Sequence, residues 1–178
     1  MKGAIVYQGK YGATSEYAHL LSKELNLPVY AAGNTARELA EADYILIGSA
    51  VYIGKLSIQR WLFRNREWLS GKKLVFFVVC GTPGTDQEKT AKIVADNIPP
   101  SLRNSAVYFL KGRLIINKLS WTDRLLLRLG AWFTKDPAEK RRMLTDFDGV
   151  EVSALRPLLH TVQLWELEKS KALVHTHY

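Results

Sequence analysis

Short apolar runs alternate with amphipathic stretches along most of this chain, and that alternation constrains the fold more than any other feature. Ala4–Tyr7, Leu27–Ala31, Asp43–Ser49, Lys73–Cys80 and Ala106–Leu110 have strand length and carry many β-branched or aromatic residues. Asp43–Ser49 and Lys73–Cys80 are apolar on both sides, as in a parallel strand covered from two directions. Between the runs, Thr14–Leu25, Ser57–Leu69 and Asp86–Asn97 show helical spacing, and Thr35–Ala42 reads as a small helical turn. Ser153–Lys171 closes the chain as a helix, with Pro157 near its first turn, where a missing N–H does least harm. The pattern predicts an α/β fold: a five-stranded parallel sheet with helices on both faces and ligands received at the carboxyl ends of the strands.

The first of those ends is the most informative. Ala4–Tyr7 runs into Gly9, Lys10, Tyr11, Gly12, Ala13 and Thr14, and a helix follows at once. A glycine-bearing turn ahead of a helix aims several N–H groups and the positive end of the helix dipole at one spot, which suits a phosphate. Hydroxyls at Thr14 and Ser15 could add donors. The turn lacks the Gly-Lys-Ser/Thr of a Walker loop and the third glycine of a dinucleotide fingerprint. The bland alternative is a bare strand-to-helix turn.

Two more loops fall at strand ends: Val51, Tyr52, Ile53 and Gly54 after the third strand, and Gly81, Thr82 and Pro83 after the fourth. With Gln8–Thr14, these loops resemble the flavodoxin superfamily. Gly12 and Thr14 match the glycine and final threonine of its phosphate loop, whereas Gln8 and Lys10 stand where hydroxyl residues are common. The resemblance implies strand order 2-1-3-4-5 and bound FMN, its phosphate on Gly9–Thr14 and its ring between the other two loops. Gly81 and Thr82 would offer N–H groups to the ring edge, and Tyr52 and Ile53 an apolar face. The bland alternative for Tyr52 is an ordinary, partly buried tyrosine, and Cys80, at the end of the fourth strand, reads as packing.

A segment spanning 113–148 departs from a plain flavodoxin, so the chain reads as a single domain, 1–178, with one insertion. Within it, Lys118–Phe133 is amphipathic: Leu119, Trp121, Leu125, Leu126, Leu129, Trp132 and Phe133 share a wide face. Asp123, Arg124 and Arg128 take the other side, with Leu127 out of place. Ser120 and Asp123 have capping-box spacing. Lys111 to Arg142 holds nine basic and three acidic residues, the bulk of the chain's net charge of +8. The helix could dock its apolar face on the domain, lie on an anionic membrane surface at 118–133, or wall off a flat acidic substrate.

Gly112-Arg113-Leu114, followed by Trp121-Thr-Asp-Arg124 and the leucine-rich run, resembles the quinone-dependent protoporphyrinogen oxidase family. That resemblance implies an FMN-dependent oxidoreductase taking electrons from a porphyrinogen-type substrate to a quinone. Two alternatives stay open: a diffusible FMN electron carrier with a protein redox partner, and a cofactor-free interaction module. Flavodoxin carriers are typically acidic, and the positive charge here argues against that set of docking partners. No recognised reading motif points to nucleic acid. No His/Cys/Asp/Glu spacing suggests a metal, and no catalytic side chain is assigned. One cysteine, no signal-like segment and no run near the ~20 apolar residues of a span point to the cytoplasm, with peripheral contact at the inner membrane face as an extension.

Overall fold

The computed structural model describes residues 1–33, 35–81, 84 and 86–175. Strands β1 (Gly3–Gln8), β2 (Val29–Ala31), β3 (Tyr44–Tyr52), β4 (Lys55–Leu56), β5 (Lys73–Cys80) and β6 (Ala106–Lys111) form one sheet. Its parallel path runs β2-β1-β3-β5-β6, and β4 folds back antiparallel on β3. The order anticipated for the five main strands is therefore the one found.

Register places Val6 beside Ile47, Ile47 beside Phe76 and Phe76 beside Val107, and alternation sends successive residues to opposite faces. Val6, Ile45, Ile47, Phe76 and Val78 are buried on one face under α3 (Gln59–Leu69) and α4 (Gln87–Asn97). Ile5, Leu46, Val75, Phe77 and Val79 are buried on the other, under α1 (Ala13–Leu25) and the final helix. Removing both faces from water is the main favourable term for the fold.

Local chemistry trims several expected elements. β2 starts at Val29, because Pro28 has no N–H to give a ladder; its carbonyl accepts from Ile5 N–H at 2.9 Å instead. β3 runs past Ser49 to Tyr52, and the expected loop is a tight hairpin onto β4. The expected turn over Thr35–Ala42 contracts to α2 (Ala36–Leu39). At the carboxyl end, a 3-10 turn (Val152–Leu155) precedes the last helix, which holds Pro157 in its first turn and extends from Arg156 to His175.

The extra segment has more structure than one helix. β7 (Arg113–Leu114) pairs antiparallel with β8 (Phe147–Asp148), so the two ends of the excursion meet. Between them lie α5 (Trp121–Phe133) and α6 (Pro137–Met143); the final helix is α7 (Arg156–His175). Tyr17, fully buried on α1, donates its hydroxyl to the Lys111 carbonyl at 3.0 Å and accepts from Glu151 N–H at 3.1 Å. That phenol ties the chain entering the excursion to the chain leaving it.

Candidate functional site

The phosphate-type loop is built by exclusion of side chains. Gly12 sits at φ 90°, a backbone shape that β-carbons resist, and a Cβ there would meet nothing within 4 Å. It is the N-cap of α1 and offers no side-chain cap, whereas α4, α5 and α6 begin under Asp86, Ser120 and Asp136. The N–H groups at the start of α1 have no acceptors within the helix, and the space at Gly12 is open. Gly9 is needed for another reason: a Cβ there would lie 2.7 Å from the Thr14 side chain. Thr14 and Ala13 are buried beneath the loop. Ser15, expected to add a donor, instead gives its hydroxyl to Tyr7 Oη at 3.0 Å.

The second loop is a two-residue hairpin. Val51 pairs with Leu56 and Tyr52 with Lys55, leaving Ile53 and Gly54 as the turn, both at positive φ (48° and 70°). Two positive φ values match the twist of a type I′ hairpin, but a β-branched residue rarely tolerates one. Asn97, fully buried on α4, clamps the turn: it accepts from Leu56 N–H at 3.0 Å and donates to the Gly54 and Ile93 carbonyls at 2.9 Å each. Ser57 N–H to the Ala50 carbonyl, 2.9 Å, closes the base. Ile53 projects outward, largely exposed, while Tyr52 is half-buried.

At the third strand end, Gly81 faces Phe147, whose ring tip would lie 3.7 Å from a Cβ on the glycine. Thr82 and Pro83 fall outside the described residues.

The first two loops meet at Asp123, which helical spacing sets on the polar side of the insertion helix. Asp123, on the first turn of α5, is only 6% exposed. Lys10 Nζ donates to its Oδ2 at 2.5 Å, the Tyr11 hydroxyl donates to the same oxygen, and the Tyr52 hydroxyl donates to Oδ1. Lys10 also stands 5.1 Å from the Tyr52 ring centroid. The hydrogen bond to Asp123 pushes the Lys10 ammonium pKa above its ordinary value. Ser120 Oγ accepts from Asp123 N–H at 3.2 Å, the cap that the spacing anticipated.

The helix is therefore turned around relative to the docking expectation. Asp123, Leu127 and Ala131, four apart, form its inner line, and Leu127 is the residue that had looked misplaced. Leu119 is buried, but Trp121, Leu125, Leu126, Leu129, Trp132 and Phe133 are exposed, the two tryptophans at 76% and 72%. Arg124 folds back onto the Leu119 carbonyl at 3.1 Å, while Lys118, Arg128, Lys135, Lys140 and Arg141 are exposed. Asp123 and Phe147 were missed because no local pattern distinguishes an inward Asp from a capping one, or marks a two-residue strand.

A shallow hollow of about 500 Å³ opens beside Gly12, between α1 and Arg113. A second, about 570 Å³, is lined by Met1, Asp43, Lys72 and Lys73 at the amino-terminal end of the sheet, away from all three loops. Among the described residues, no three His, Cys, Asp or Glu side chains could share a metal, and no helix is long and apolar enough to cross a membrane.

A family model described as a flavodoxin domain matches residues 4–141. The chain belongs to the flavodoxin domain family. No curated protein matches it. Among solved structures, oxidised Flavodoxin 2 from Bacillus cereus is 22% identical over 62% of this chain and 83% of its own, with a TM-score of 0.45. A flavodoxin from the domain Archaea is 19% identical, covering 71% and 90%, with a TM-score of 0.39. The Trp repressor binding protein from Bacillus subtilis is 13% identical, covering 62% and 85%, with a TM-score of 0.42.

Proposed function

We propose that this flavodoxin-domain protein binds FMN and serves as a redox flavoprotein. The observation that carries the reading is the uncapped start of α1 behind Gly12, with open space above it, beside the ends of β3 and β5. Those residues fit a phosphate: a helix start without a side-chain cap leaves N–H groups for an anion, and no Cβ at Gly12 obstructs the approach. Gly9–Thr14 would hold the phosphate, and Val51, Tyr52, Ile53, Gly54 and Gly81 would line the ring. FMN supplies one- and two-electron chemistry when bound; the protein's part is to place and shield it. Tyr52 presents an aromatic side near that place and is held by Asp123. The Asn97 clamp keeps the hairpin from shifting.

The finer reading is electron transfer from a porphyrinogen-type substrate to a quinone, with α5 lying on an anionic lipid surface. The exposed Trp/Leu/Phe side of α5 and its flanking Lys and Arg support it: apolar rings suit a bilayer interface, and cations suit headgroups or carboxylates. Purified protein is reconstituted with FMN, its spectrum recorded, and protoporphyrinogen oxidation followed anaerobically with a quinone. A bound flavin spectrum with quinone-linked turnover is expected. Bound flavin without turnover moves the reading to an electron carrier for a protein partner, and a colourless protein that ignores FMN overturns it altogether.

A further inference from the structure

The chain brings a carboxylate into the loop cluster from an element that the parallel sheet does not need. Asp123 touches Lys10 and Tyr11 in the first loop and Tyr52 in the second, joining both to α5. Resting on the FMN reading above, we propose that Asp123 is a positioning residue that controls the site's charge: paired with Lys10, it sets how tightly FMN is held and how readily bound FMN is reduced.

The argument is one of unequal partners. Asp123 is nearly buried, whereas the Lys10 side chain is 51% exposed. A charge removed from water acts through a lower effective dielectric than one that water and salt can screen, so the two do not cancel at a distance. Lys10 lies in the phosphate loop itself, two positions before Gly12. A negative charge there opposes a phosphate and a positive one favours it. Adding electrons to a bound group increases its negative charge, so the same two residues act on reduction with the same signs. The two phenols fix the carboxylate's position and take none of its charge.

Asp123→Asn removes the charge with little change of shape, and Lys10→Met removes the opposite charge from the same place. Each is titrated with FMN by fluorescence quenching and then followed by spectroelectrochemistry. Asp123→Asn is expected to bind FMN several-fold more tightly and to shift the midpoint potential positive. Lys10→Met is expected to bind several-fold more weakly and to shift it negative. The Lys10→Met difference shrinks as salt rises, and the Asp123→Asn difference shrinks less, because its charge is nearly buried. Shifts in the same direction for the two charge variants, or no shift in either, overturn the proposal while leaving FMN binding in place. Should Asp123→Asn fail to fold, Lys10→Met decides alone, and wild-type affinity and potential in it overturn the idea. Wild-type protein that takes up no FMN overturns the cofactor reading and this proposal with it.

Discussion

A carboxylate taken out of water needs donors on both oxygens, and Asp123 has an ammonium and two phenols for the purpose. Gly12 has the opposite character: it contributes by having no side chain. Gly12→Val should therefore weaken FMN binding by more than tenfold, since a β-branched residue at φ 90° is strained and blocks the approach; equal quenching curves for the two proteins would remove the loop from the site. Asn97 acts from behind the site. Asn97→Ala leaves the Leu56 N–H and the Gly54 carbonyl without their side-chain partner and should cost about 1–3 kcal/mol in urea unfolding. Hydrogen exchange should also rise at the Tyr52–Lys55 turn. At this scale the sequence shows which residue types the loops contain. It cannot show that Ile53 is held at positive φ, because a buried amide forty residues away imposes that shape.

Among the elements, α5 displays the limit of periodicity most clearly. Spacing groups most of the apolar residues on one side, and all of that group but Leu119 are exposed; it does not say which side faces inward, and it sets Asp123 beside Arg128, of which only Asp123 is buried. Here the inner line is one polar residue, Asp123, followed by Leu127 and the small Ala131, and α6 packs on Gly130, where a Cβ would lie 3.1 Å from Met143. The apolar stripe is left outside. Arg128→Glu with Lys135→Glu, both on exposed side chains, should lower sedimentation with anionic liposomes and flatten its salt dependence, each charge contributing roughly 1 kcal/mol near such a surface. Flavin content should not change. Wild-type protein that stays in the supernatant at low salt would remove lipid as the occupant of that face. The strands were legible because five β-rich runs leave few alternatives, whereas β4, β7 and β8 are two residues each and carry no period of their own. Those short pairs are defined by their tertiary partners and not by local pattern.

For the molecule as a whole, two buried phenols link stability to alkaline pH. Burial, and then the nearby Glu166 carboxylate, push Tyr44 from its ordinary 10.0 up to about 12, and burial also raises Tyr17. The folded chain keeps protons that the unfolded chain has released, so stability is full below pH 10 and falls as pH rises towards 12. The Tyr44 part is at most about 3 kcal/mol, at about 1.4 kcal/mol per unit. Chemical denaturation from pH 8.5 upward, an alkaline range of about that start, should show the loss, and Tyr44→Phe should flatten it; parallel curves for the two proteins would assign the loss elsewhere. The meeting of β7 with β8 has a further bearing on how such a chain can vary. An excursion whose ends are already hydrogen-bonded to each other leaves the order of the parallel strands unchanged, and lengthening a closed loop costs only about 0.6 kcal/mol per doubling. The length of the segment between the two short strands, which form its doorway, is thus weakly constrained by the cost of closing it. Joining Leu114 to Phe147 through Asn-Gly, a turn suited to a two-residue hairpin, should give a shorter chain that still melts in one cooperative step. The doorway belongs to the framework, and what passes through it is open to replacement.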